Sequence, residues 1–253
     1  MLIAQWGRVL CPRTQVACYD FLMPRESKAV RWMQPWLKRL DVFACIRTGD
    51  IAVLKRRFGV PAAKCHFVPF PIPADLEQVA TEEGDYIYSA GWAHRDWDTL
   101  MRALATLPYQ AVLSPGVELA VPPEAAARIR VLPMQNPAQG REWMAKARLA
   151  VLAFKNTELP SGPLVLLDAM AMGKPVVATS VNGTRDYVRD GETALLAAPG
   201  DSEALAMAIR RAMEDDTLRR DLGRAAQADV CERFTMSQFL HQIVALCAPP
   251  NRK

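Results

Sequence analysis

Long apolar runs are missing from this chain. Stretches such as residues 149–154 and 175–178 fall far short of the roughly 18 residues a spanning helix needs, so no transmembrane helix is expected. Cysteines at ligand spacing are missing too. The six present, Cys11, Cys18, Cys45, Cys65, Cys231 and Cys247, include no CxxC pair, which removes support for a zinc site or a redox dithiol and fits a reduced, cytoplasmic setting. No repeat or low-complexity tract is present, and no basic stretch precedes an apolar segment at the start. Solenoid, disordered and secretion-signal readings therefore have nothing to rest on.

What is present is the balance of a soluble globular protein. Its 253 residues are 51% hydrophobic and 23% charged, enough for one large domain or one complete domain with a smaller partner. Charge is uneven: residues 1–60 hold eleven Lys and Arg against four Asp and Glu, so the net charge of +4 belongs to the front. Two readings of that front stay open, a peripheral contact with an anionic membrane surface and an ordinary solvated basic face. The stretch Arg31-Trp-Met-Gln-Pro-Trp-Leu-Lys-Arg39 shares the ambiguity, as a basic, Trp-bearing membrane edge or a Pro35-kinked helix packing its tryptophans inward.

From about residue 40 onward, short β-type runs alternate with amphipathic helical stretches, the rhythm of a parallel sheet with crossover helices. The fold class expected is α/β. Strands are expected at 16–20, 42–46, 66–69, 86–90, 110–113, 129–132, 149–154, 176–179 and 194–197. Helices are expected at 49–58 with Gly59 as the stop, and at 97–106, 139–147, 164–172, 202–214 and 217–234. Asp201 should cap the fifth of these, with Glu203 in its first turn favouring the dipole. The three alternating prolines of Val68-Pro-Phe-Pro-Ile-Pro-Ala74 forbid a helix and mark an extended linker. The organisation expected is an N-terminal portion over 1–67, a linker at 68–74, one complete doubly wound domain over 75–235 and a C-terminal helix at 236–248 crossing back to the first portion.

The most informative stretch runs from Glu158 to Thr179. A strand ending near Phe154 enters a loop and then a helix whose start is fixed by Ser161, Gly162 and Pro163. Proline suits the first helical turn, which would place Ser161 or Gly162 at the cap. Free N–H groups of Gly162, Leu164 and Val165 would then form an anion site, with phosphate as its natural guest. Asp168 interrupts the apolar run that follows, and a carboxylate there must face a partner or a cleft. A sugar hydroxyl is one such partner, and plain solvation is the alternative.

A second strand-to-helix loop, Ser89-Ala-Gly-Trp-Ala-His-Arg-Asp-Trp-Asp98, offers Gly91 for close backbone approach and the fork of Arg95 for a phosphate. An exposed Arg95 paired with Asp96 or Asp98 is equally compatible with the residues, and His94 reads as a solvated loop histidine. In the third such loop, Asn182-Gly183 signals a turn first and a ligand loop second.

The run from Leu166 to Thr179, with Asn182-Gly-Thr-Arg-Asp-Tyr-Val188, Asp190-Gly-Glu192, Ala197-Ala-Pro-Gly-Asp201 and Cys231-Glu-Arg-Phe234, resembles the donor-binding half of GT-B glycosyltransferases, most closely the retaining enzymes of family 4. Arg57-Phe-Gly-Val-Pro61 and Phe67-Val-Pro69 resemble the stretch before that fold's interdomain linker. The likeness covers about residues 40–247. It implies a Rossmann-like donor domain in which Asp168 stands for the second glutamate of the family's E-x7-E motif and meets the nucleotide ribose. Arg95 would neutralise the donor diphosphate, and the backbone from Ser161 to Leu164 would meet phosphates or sugar.

This sequence departs from the pattern at three places. Pro160 stands where the first glutamate belongs, with Glu158 two residues earlier as the candidate substitute. Gly91-Trp92 replaces the usual Gly-Arg pair. The portion before the linker is short for an acceptor domain and has neither a Gly-rich loop nor a histidine before His66. The resemblance implies transfer of a sugar, with retention, from a nucleotide-diphosphate-sugar donor to a glycan or lipid-linked acceptor in glycan, capsule or lipopolysaccharide assembly. It implies no cofactor, metal or nucleic acid. A non-catalytic module that binds a nucleotide, oligomerises or needs a partner subunit is the alternative, favoured by Pro160 and the short front.

Overall fold

The computed structural model describes residues 16–20, 34–74, 76–157 and 163–248. Residue contacts divide these into two units, one of residues 16–71 with 236–248 and one of residues 72–157 with 163–235.

In the first unit, β1 (Ala17–Tyr19), β2 (Val42–Cys45) and β3 (Cys65–Phe67) form a parallel sheet in that order. Buried β2 has no polar residue, as an interior strand requires. Helix α1 (Thr48–Val53) runs on into a π-helical turn, Leu54–Phe58, that ends at Gly59 in the left-handed conformation (φ 65°). The expected single helix over 49–58 is thus two geometries joined, and its expected stop is confirmed. Phe43, Leu54 and Phe58 are fully buried together. The C-terminal helix of this unit, Met236–Cys247, sets Phe239 edge-on against Tyr19 with ring centroids 5.3 Å apart.

The second unit is a six-stranded parallel sheet. Its strands are β4 (Tyr86–Ala90), β5 (Gln110–Ser114), β6 (Ile129–Val131), β7 (Leu149–Leu152), β8 (Val176–Thr179) and β9 (Leu195–Ala197), in spatial order β6-β5-β4-β7-β8-β9. Numbered within the unit that order is 3-2-1-4-5-6, the doubly wound Rossmann arrangement, with its topological switch between β4 and β7. All four residues of β7 and of β8 are buried, which is why those segments read as unbroken apolar runs.

The helices after α1, in chain order, are α2 (Trp97–Ala105), α3 (Pro137–Ala145), α4 (Leu164–Ala171), the single turn α5 (Asn182–Arg185), α6 (Ser202–Glu214) and α7 (Asp216–Arg233), with Met236–Cys247 as α8. Helix α2 packs on α6 and α4 on α7. The core joins Ile87, Leu113, Leu149 and Val177 of the sheet to Leu100 and Leu104 of α2 and Leu205 and Ile209 of α6. Caps occur where short polar side chains predict them: Asp201 Oδ1 accepts from Ala204 N at 2.8 Å, and Asp96 Oδ1 from Thr99 N at 3.2 Å.

Two local expectations change. Helix α3 starts at Pro137 rather than at residue 139, because Asn136 and Gln139 form a reciprocal capping box across its first turn. Asn182 and Gly183 open a helical turn instead of a β-turn, held by Thr184 Oγ1, which accepts from Val181 N at 3.0 Å and donates to Thr179 O at 2.7 Å.

Candidate functional site

A cavity of about 510 Å³ opens in the second unit at the carboxyl ends of β4 and β5, beside the switch point, where open α/β sheets bind ligands. The loop after β4 supplies one wall, the first turn of α4 another, and the loop after β6 with the start of α3 a third.

Arg95 is the unusual group in it. Its residue is only 7% exposed, its Nε donates to Ala90 O at 2.9 Å, and its guanidinium carbon lies 4.0 Å from the centroid of the Phe154 ring. The chain fixes it from both sides, since Asp96 N donates to Ala153 O at 2.9 Å and Lys155 N to His94 O at 2.9 Å. Among the described residues no carboxylate pairs with it. Asp96, one partner considered from the sequence, is instead the N-cap of α2, its Oδ2 accepting from Thr99 Oγ1 at 2.8 Å. Burial lowers the Arg95 pKa to about 9, because loss of water disfavours the charged form.

Gly91 belongs to the same construction. Its φ is +111°, and a Cβ there would stand 2.7 Å from Arg95 Nη2 and 2.8 Å from Nε. Only glycine fits both the backbone and the guanidinium.

The first turn of α4 faces the cavity through Leu164 and Val165. Pro163 is itself the cap (φ −80°, ψ 9°) and its carbonyl accepts from Leu167 N at 2.8 Å, so the expectation that Ser161 or Gly162 caps this helix is corrected. Among the described residues the Pro163 carbonyl is the first to meet an N–H four residues on. Leu164 N, Val165 N and Leu166 N precede any intrahelical acceptor and carry the positive end of the helix dipole. Glu158, Ser161 and Gly162, also expected at the site, lie outside the described residues.

Asp168 lines the cavity as expected, but with a partner the sequence reading missed. Arg141 of α3 holds it in a two-point ion pair, Nε to Oδ2 at 2.9 Å and Nη2 to Oδ1 at 3.2 Å. The signal that could have found it is Asn136-Pro-Ala-Gln139, which sets the register of α3 and puts Gly140, Arg141 and Met144 on the cavity side. Beneath them the Tyr88 hydroxyl is buried beside Ser114, whose Oγ already donates to Pro133 O and accepts from Gln135 N, each at 3.3 Å. Among the described residues the Tyr88 hydroxyl has no partner at good hydrogen-bond geometry; burial, with Tyr86 nearby, raises its pKa to about 12 against the lowering influence of Ser114. His94 (φ 53°) and the loop of α5 do not line the cavity.

Among the described residues no group of three or more His, Cys, Asp or Glu is arranged to hold a metal ion, and no helix is long and apolar enough to cross a membrane. What the site offers is electrostatic: a buried cation and a helix N-terminus at one end, a carboxylate and hydrogen-bonding edges along its length.

Comparison with known proteins bears on the fold and family. The family described as glycosyl transferases group 1 matches residues 114–215. The lipopolysaccharide core biosynthesis glycosyltransferase LpsE of Rhizobium meliloti is 28% identical over 184 residues, 70% of this chain and 51% of that protein. The exopolysaccharide phosphotransferase SCO2592 of Streptomyces coelicolor is 45% identical over 86 residues, 34% of this chain and 9% of that protein. The chain therefore spans about half of the one relative and a small part of the other. The crystal structure of Anabaena Alr3699/HepE in complex with UDP superposes with a TM-score of 0.79 at 19% identity, covering 96% of this chain and 74% of that one. Residues 114–215 thus match a glycosyl transferases group 1 domain, and the parallel Rossmann-like sheet has a fold of GT-B type.

Proposed function

We propose that the second unit is the donor-binding domain of a glycosyltransferase that moves a sugar, with retention, from a nucleotide-diphosphate-sugar to a glycan or lipid-linked acceptor. One observation carries the reading: Arg95 is a buried guanidinium without a carboxylate among the described residues, set at a switch-point cavity beside a helix N-terminus. A buried charge needs a counter-charge, and a ligand diphosphate would supply it.

In the reaction negative charge grows on the departing nucleoside diphosphate. Arg95 and the N–H groups at the start of α4 would meet that charge with donors already in place, which lowers the barrier without reorganising the site. Asp168, oriented by Arg141, would accept a ribose hydroxyl. The charge is assigned to these groups rather than to a divalent ion, so turnover should survive a chelator. Alr3699/HepE in complex with UDP, and with UDP-glucose, supports a nucleotide-sugar guest on this fold, and the similarity to LpsE supports an acceptor in lipopolysaccharide or related glycan assembly. The basic residues 1–60 would suit a lipid-linked acceptor at the inner face of a membrane.

The test is release of nucleoside diphosphate from UDP- and GDP-sugars with and without lipid-linked acceptors, in the presence and absence of EDTA, with the anomeric configuration of the product read by NMR. Acceptor-dependent release is the expected result, and failure of every donor would sink the transferase reading. Pro160, where the family pattern has a glutamate, favours a second reading in which the domain binds a nucleotide without turnover.

A further inference from the structure

The cavity has two chemically different ends. Arg95 and the start of α4 stand on the β4–β7 side. Toward β5 and β6 the rim is apolar and open to water: Trp92, from the same loop as Arg95 and 71% exposed, reaches there to meet Met134, 67% exposed. These two side chains follow different strands yet converge over Gly116. A Cβ on that residue would lie 3.2 Å from Met134 Sδ and 3.3 Å from Trp92 Cβ, and its φ of +65° is itself a glycine conformation. Any larger residue there would press the pair apart.

Met134 follows β6 and the start of α4 follows β7, loops three strand spacings or about 14 Å apart, and the loop after β4 lies between them with Arg95 and Trp92 on it. A lone phosphate is too small to use both ends. The occupant that fits has an anionic end for Arg95 and a flat apolar end for the indole and thioether, joined by a segment with hydroxyls for Asp168. That is the chemistry of a nucleoside diphosphate.

We infer that Trp92, backed by Met134, stacks on the base of the nucleoside diphosphate whose phosphates Arg95 holds. The inference rests on the donor-site reading and makes Trp92 a determinant of nucleoside binding. An aromatic face stacks on any base, so the lip adds affinity for the base without choosing between purine and pyrimidine. The thioether of Met134 adapts to whichever ring lies against it.

Calorimetric titration of the full chain, Trp92→Ala and Trp92→Phe with UDP, GDP and inorganic pyrophosphate tests this. Trp92→Ala should bind both nucleotides about tenfold or more weaker, the loss of one base–aromatic stack, while Trp92→Phe keeps most of the affinity. Pyrophosphate should bind all three proteins alike. Trp92 is mostly exposed, so melting temperatures should coincide. Unchanged nucleotide affinity in Trp92→Ala, or an equal loss toward pyrophosphate, would overturn the inference. If the wild-type chain binds pyrophosphate as tightly as it binds nucleotides, no base is held and the inference fails while the anion site stands. If it binds none of the three, the donor-site reading fails with it.

Discussion

Replacing Arg95 with methionine sets stability against binding. The guanidinium is buried, pressed on Phe154, and carries a charge that nothing among the described residues neutralises. Methionine has similar length and covers the same ring face without a charge to desolvate. The loss is the bond to Ala90 O, worth about 1 kcal/mol. Removing an unfavourable buried charge commonly returns as much or more, so stability should stay level or rise by up to about 2 kcal/mol. Binding should move the other way. At about 4 Å and an effective dielectric near 20, a phosphate charge facing this guanidinium gains about 4 kcal/mol before dehydration is subtracted. A net loss of about 2–4 kcal/mol, or roughly 30- to 1,000-fold in Kd, is expected for UDP or GDP. Urea denaturation and calorimetry on the same preparations read both quantities. A variant that loses more than about 3 kcal/mol of stability yet keeps its nucleotide affinity would refute the reasoning, because Arg95 would then be a structural residue.

Three further variants probe the surroundings. Asp168→Ala should weaken nucleoside diphosphate binding by about 1–3 kcal/mol if the carboxylate accepts a ribose hydroxyl. It should cost little stability, since its pair with Arg141 is partly open to solvent, and an unchanged Kd removes Asp168 from the site. Tyr88→Phe deletes a buried hydroxyl with at best a weak contact to Ser114 among the described residues, so its melting temperature should match or exceed that of the wild type; a clear drop would show the hydroxyl is satisfied in solution. Lys174, 5% exposed, donates to Glu82 O at 2.6 Å and Ala147 O at 2.9 Å, so Lys174→Met should cost about 1–3 kcal/mol in thermal denaturation. Burial lowers the Lys174 pKa from 10.5 to about 8, and the unfolded chain therefore holds that proton more tightly. Its contribution to stability rises with pH between about 8 and 10.5, and the variant should lose that part of the slope; an identical slope would contradict the assignment.

Much of this architecture was legible because it is local. Strands β4 and β8 and helix α6 have the bounds their hydrophobic periods and caps predict, and the alternation of strands and helices implies a parallel sheet. Loop glycine, guanidinium fork, helix start and an interrupting carboxylate brought Gly91, Arg95, Leu164 and Asp168 to attention before the likeness to donor domains gave them roles, and all four line one cavity. What stayed hidden depends on contacts between distant parts of the chain. Arg141 meets Asp168 across 27 residues, and no spacing rule connects a helix to the next crossover helix. The aromatic support of Arg95 comes from Phe154, which reads in the sequence only as the end of an apolar strand. Trp92 registered as a missing cation; its role as a rim residue needs the position of Met134, which follows another strand. The misplaced cap at Pro163 has a different cause: proline is suited both to the first turn and to its boundary, and only the backbone decides between them.

The most direct measurement is a crystal structure of the full chain with UDP or GDP bound. The account predicts diphosphate oxygens about 2.7–3.2 Å from the Arg95 guanidinium and from an N–H of the first turn of α4, with the ribose beside Asp168. Density for the nucleotide elsewhere on the protein, with Arg95 still facing an unfilled cavity, would contradict it.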